Sequence, residues 1–171
     1  MAANATTSLI LLNLLSTVRD PSNGALVNIG PNLAPIRLAS GIGYDQADLA
    51  YESHRTLSAS SNEDLNIYGG FEDGLGNTVT LAKVKLILII NWSTTQVLGV
   101  EAGSADPFVG MITGTSNNAT VQPAAADDNP GIFVWYSPKG TALASGAGKI
   151  NVSNPSGASA SYSIYVIGTS A

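Results

Sequence analysis

The chain has 171 residues, 44% of them hydrophobic and only 11% charged, with a net charge of −5, one histidine and no cysteine. That length holds one domain with a sizeable core and some chain to spare. The missing cysteines remove disulfides, thiolate catalysis and thiolate metal sites together, and lean towards folding in a reducing cytoplasm. The seven Lys and Arg residues are scattered and form no patch at phosphate spacing, which argues against a nucleic-acid partner.

The first 48 residues differ in texture from the rest. An apolar run, Leu9 to Leu15, is interrupted by Asn13. No positive charge precedes it and no small-x-small cleavage site follows, so it does not read as a signal peptide. Pro21, Gly24, Gly30, Pro31, Pro35, Gly41 and Gly43 then break any long helix or strand. Residues 1–48 therefore read as an extended arm, packed either on its own domain or on a neighbouring subunit. Leu9, Ile10, Leu11, Leu12, Leu14 and Leu15 are its candidate contact residues.

Residues 49–171 read as all-β. "SHRTLSA" and "EDLNIYG" alternate, with Leu65, Ile67 and Gly69 on one face of the second. "EDGLGNT" carries turn residues. "LAKVKLILIINW" contains five aliphatic residues in succession, Leu86 to Ile90. A membrane-spanning helix needs about 20 apolar residues, and Lys83, Lys85 and Asn91 fence this run far short of that. Short, Val/Ile-rich and bounded by polar residues, it reads as a central strand covered on both faces, by a second sheet or by another subunit.

Further strands are expected in "TQVLGVEA", with a bulge at Gly99, in "DPFVGMIT", opened by Pro107, and in "NATVQPA". "AADDNPG" is a turn cluster, "IFVWYS" a strand, and "PKGTALASGAGK" a turn, a short strand and a turn. "KINVSN" and "ASYSIYVIG" complete the set, the last alternating Tyr162, Ile164 and Val166 with Ser163, Tyr165 and Ile167. Eight or nine short strands at regular spacing predict an antiparallel β-sandwich of jelly-roll type.

The catalytic inventory is sparse. His54, beside Arg55, reads as a surface or edge residue, and no serine lies in a G-x-S-x-G elbow. Carboxylates come in adjacent pairs, Glu63/Asp64, Glu72/Asp73 and Asp127/Asp128. Neighbours on a strand face opposite ways, and in turns such residues bond nearby backbone. Calcium at Asp127, Asp128 and Asn129 is the best metal candidate, outweighed by the turn reading, so no cofactor or metal is expected. Trp92, Trp135 and Tyr136 suit a core edge or an interface, with sugar stacking as the alternative. Asn-x-Ser/Thr sequons stand at Asn4, Asn91, Asn118 and Asn151.

The stretch "RTLSASSNEDLNIYGGFEDGLGNTVTLAKVKLILIIN", Arg55 to Asn91, resembles a recurring pattern in small structural proteins of tailed bacteriophages. The landmarks are an Arg-Thr-Leu start, an acidic-Leu-x-hydrophobic strand, a "DGLGNT"-like turn and an "AKVK" entry to a central strand. The ending "GKINVSNPSGASASYSIYVIGTSA" is similar to theirs as well. The resemblance covers residues 51–171. It implies a non-enzymatic capsid decoration (cement) protein on the virion surface, made in the bacterial cytoplasm. The implied partners are the major capsid protein and copies of the same chain, most simply a trimer, with neither nucleic acid nor membrane. A tail or head-fibre component and a carbohydrate-binding or adhesive module are the alternatives.

Overall fold

The structure, a computed structural model, describes residues 7–10, 16–19, 26–29, 36–72, 76–103, 105–110, 119–124 and 129–171. Among the described residues there are fifteen strands and no helix. Five lie in the N-terminal segment: β1 (Thr7–Ile10), β2 (Ser16–Arg19), β3 (Leu26–Ile29), β4 (Ile36–Ser40) and β5 (Gln46–Ala47). Next come β6 (Leu49–Leu57), β7 (Ser61–Asn66), β8 (Phe71–Glu72), β9 (Thr78–Val79) and β10 (Lys83–Asn91). The last five are β11 (Leu98–Ala102), β12 (Ala119–Val121), β13 (Gly131–Ala142), β14 (Lys149–Asn154) and β15 (Ala160–Thr169).

Eight of these build an antiparallel β-sandwich. One four-stranded sheet has the order β13-β10-β15-β6 and the other β12-β11-β14-β7. Along the sandwich, only β11 to β12 stays within a sheet; each other link crosses to the opposite one. The core between the sheets follows directly from the two-residue period of a strand. On β15, Tyr162, Ile164 and Val166 point into it, beside Ile87 and Ile89 of β10 and Ile150 and Val152 of β14. Removing each such aliphatic side chain from water is worth about 1.5–3 kcal/mol.

The uninterrupted run on β10 is covered on its inner face throughout but on its outer face only at Leu86, since Leu88 and Ile90 are half-buried there; the expectation of a strand covered on both faces holds at one end only. Val84, Ile87 and Ile89 belong to the core between the sheets. Leu86 is fully buried but lies outside that core, as do Leu38 of β4 and Ala47 of β5. The second cover comes from the chain's own segment 36–48. Asp45 N donates to Pro138 O at 3.1 Å and Asp48 N to Gly168 O at 3.2 Å. β4 pairs with β5 in parallel and with β1 antiparallel, while β2 and β3 form a separate ladder.

Of the candidate arm residues, Leu9 and Ile10 lie in β1, opposite Arg37 and Ile36 of the same chain. Leu11, Leu12, Leu14 and Leu15 lie outside the described residues, as do Asp73, Asp127, Asp128, Asn4 and Asn118.

Three local expectations are corrected. Gly99 pairs regularly with Ser153 and Thr120; the bulge is instead on β10, between Val84 and Leu86. "PKG" does not end its strand, because β13 runs on to Ala142 with Ser137 to Gly140 pushed out opposite that bulge. β13 is an edge strand, where proline is tolerated. Pro107 opens no strand among the described residues; it forms a single bridge to Lys149 and delivers Phe108 to the core.

Candidate functional site

The two outer faces of the sandwich differ sharply. On the β12-β11-β14-β7 sheet the cross-strand rows read Glu101–Asn151–Asp64 and Thr120–Gly99–Ser153–Asn62. Asn151 donates to Asp64 Oδ1 at 2.7 Å. That face is polar throughout and suits water.

On the β13-β10-β15-β6 sheet, three rows can be read from the register: Ile132–Ile90–Ser163–His54, Val134–Leu88–Tyr165–Glu52 and Tyr136–Leu86–Ile167–Ala50. The β13–β10 half is aliphatic and open: Ile132 is 56% exposed, and Val134, Ile90 and Leu88 are half-buried. This strip continues into the loop after β4, where Ile42 is 50% and Tyr44 68% exposed. This strip is the candidate interaction surface of the sandwich.

The loop is held in place by an interior cation. The bulge turns Lys85 into the protein, where it is wholly buried. Its Nζ donates to Gly43 O at 2.8 Å, Pro138 O at 2.7 Å and Lys139 O at 2.9 Å. Burial lowers its pKa, with Lys83 acting in the same sense and Asp45 opposing. Tyr136 adds a second tie, its hydroxyl donating to Asp45 Oδ1 at 2.8 Å; burial and that carboxylate push its pKa up to about 12. Asp45 sits at φ 51° and Gly41 at φ 135°, the second a conformation open mainly to glycine. Ile42 and Tyr44 are thus presented from a pinned loop.

The β15–β6 half carries a polar chain that crosses three strands. Trp92 Nε1 donates to Ser163 Oγ at 2.6 Å. Ser163 Oγ lies 2.6 Å from His54 Nδ1, and His54 Nε2 3.4 Å from Glu52 Oε1. The Tyr165 hydroxyl also bonds Glu52, and this bond, with burial second, raises the Tyr165 pKa. An indole N–H only donates, so Ser163 Oγ accepts from Trp92 and uses its remaining capacity for His54 Nδ1, while His54 Nε2 faces Glu52.

Serine, histidine and carboxylate in line resemble a hydrolytic triad, but the geometry opposes that chemistry. Ser163 is fully buried and its hydroxyl is engaged on both sides. It lies on an interior strand paired with both neighbours, so no free backbone N–H pair is aimed at a developing oxyanion.

The Glu63/Asp64 pair divides between faces as expected. Asp64 points outward to Asn151, while Glu63 points between the sheets. Arg55 Nε and Nη2 donate to Glu63 Oε2 at 3.0 and 2.7 Å, and the Tyr162 hydroxyl donates to Glu63 Oε1 at 2.6 Å. Burial alone would raise the Glu63 carboxyl; Arg55 and Tyr162 outweigh it and hold the group below its ordinary value. Tyr162 is driven well above its own, by burial first and Glu63 second. This clasp ties β6, β7 and β15 together and is structural.

Trp135 packs against the core and meets Phe108 edge-on, with centroids 5.4 Å apart. Trp92 is 47% exposed. Of the sequons, Asn91 is fully buried and donates to the carbonyls of Gln96, Val121 and Gln122, whereas Asn151 lies on the polar outer face, covered by its neighbours and bonded to Asp64. Among the described residues no group of three or more His, Asp or Glu side chains is placed to hold a metal ion. No helix of the described residues is long and apolar enough to cross a membrane.

No family model matches the chain, and no curated protein or solved structure matches it significantly.

Proposed function

We propose that the chain is a non-enzymatic structural protein of a tailed-phage virion that attaches to the outside of the capsid and clamps neighbouring capsomers. The resemblance of residues 51–171 to phage structural proteins supports this. So does the strand order, two four-stranded sheets with nearly every link crossing between them, which we read as a jelly roll. The observation that carries the proposal is the contrast between the two outer faces. The strip Ile132, Val134, Ile90 and Leu88, extended by Ile42 and Tyr44, takes the shell protein, and the Asn/Ser/Asp face meets solvent. Copies of the chain, most simply three, close around the attachment point; closed symmetry gives every copy the same contact.

The test is co-sedimentation of the purified protein with capsids lacking it. The Ile132→Asp and Val134→Asp variants lose attachment while retaining the wild-type unfolding midpoint, because both side chains lie outside the core. Asn62→Asp and Ser153→Asp, on the opposite face, attach normally. Equal attachment by all four variants refutes the assignment of the face, and no attachment by the wild type refutes the function.

A further inference from the structure

We propose that the corner of the outer face built from Trp92, His54 and Glu52 is a binding site for a neutral oligosaccharide, separate from the shell-binding strip. Trp92 is 47% exposed, yet its one polar atom is turned inward onto a buried serine. The part of the indole left in water is therefore carbon surface, which is the chemistry that a pyranose ring's C–H face stacks upon. Residue 92 follows Asn91, which pairs with Tyr162, and the indole reaches back along β15 to Ser163. The bond to Ser163 thus lays the ring over the sheet and fixes it before any ligand arrives. Such preorganisation reduces the entropy cost of binding.

Beside the ring stand two hydrogen-bonding side chains that are open to water: His54 at 70% and Glu52 at 54% side-chain exposure. Trp92 extends β10 and the other two lie on β6, with β15 between them. The indole Nε1 and His54 Nδ1 each lie 2.6 Å from Ser163 Oγ, so the platform and the polar pair adjoin. A ring stacked on Trp92 brings its own hydroxyls and those of the next ring to His54 Nε2 and the outward lone pairs of Glu52. The exposed carboxylate opposes an acidic sugar, which is why the ligand is neutral. Aromatic stacking with few, fixed polar contacts is the usual composition of a small-ligand site.

The experiment is isothermal calorimetry, with tryptophan emission read in parallel, on the full chain with cellohexaose, chitohexaose, mannohexaose and xylohexaose. At least one binds and shifts the emission. Trp92→Ala weakens that sugar about tenfold or more, and Glu52→Gln and His54→Ala weaken it severalfold while both remain folded at the assay temperature by circular dichroism. Ile132→Asp, which abolishes capsid attachment, leaves sugar affinity unchanged, so the two proposals fail separately. Absence of heat and of any emission change with all four sugars overturns the site, as does undiminished binding by Trp92→Ala or by the Glu52→Gln/His54→Ala double variant.

Discussion

Replacing Lys85 with methionine keeps the length of the side chain and removes its charge and three donors. Gly43 O and Lys139 O then lose an interior partner, while Pro138 O keeps its bond from Asp45 N. Leaving a buried carbonyl unpaired costs about 1–3 kcal/mol. Relief from desolvating the ammonium offsets part of the sum for two carbonyls, so Lys85→Met destabilises by about 2–4 kcal/mol. The effect is unevenly spread: the loop around Ile42 and Tyr44 loosens before the sandwich does, because the bulge lies outside the core. Equilibrium urea unfolding reports the total, and amide hydrogen exchange shows lost protection at Asp45 and Asp48, whose N–H groups bond the sandwich. An unchanged or raised unfolding free energy with intact protection at those amides would refute the role given to Lys85.

The Glu63 clasp makes stability acid-sensitive in a defined direction. Its carboxyl is held below its unfolded value of about 4.3, so the unfolded state binds more protons in that window and stability falls as pH drops through it. Glu63→Gln loses about 1–3 kcal/mol at pH 7 and shows a shallower fall below pH 4, measurable from urea midpoints between pH 7 and 2. Gly168→Ala destabilises by about 3 kcal/mol, the upper end of overpacking costs, because the added methyl would sit 2.1 Å from Lys83 O; thermal unfolding measures it. Asn91→Ala loses about 2 kcal/mol, as its buried amide donates to three carbonyls, of which that of Val121 is buried. Passage through a eukaryotic secretory pathway leaves Asn91 without glycan if folding precedes transfer, read by peptide mapping.

The sandwich was legible because strand periodicity maps directly onto faces. Tyr162, Ile164 and Val166 alternate in sequence and all three are in the core. The run Leu86 to Ile90 breaks alternation, and its strand is covered on a second side at Leu86 by segment 36–48. Lys85 was not legible. In sequence it marks the polar edge of a strand, and only the bulge, set by pairing with β13 and β15, turns it inward. "PKG" misled in the complementary way, since turn residues also serve a strand that detours around a bulge. The outer apolar strip left only a faint trace, the lack of any polar phase in "IFVWYS". The Trp92–Ser163–His54 chain left none. Its members stand 71 and 109 positions apart, and antiparallel register alone brings them together.

Quantitative mass spectrometry of gradient-purified particles, comparing the molar amount of this chain with that of the major shell protein, tests the proposed role most directly. A decoration protein bound across the capsid lattice gives a ratio near one or a simple fraction of it. A ratio of a few per cent would place the chain in a tail or fibre, and its absence from the particles would contradict a virion role altogether.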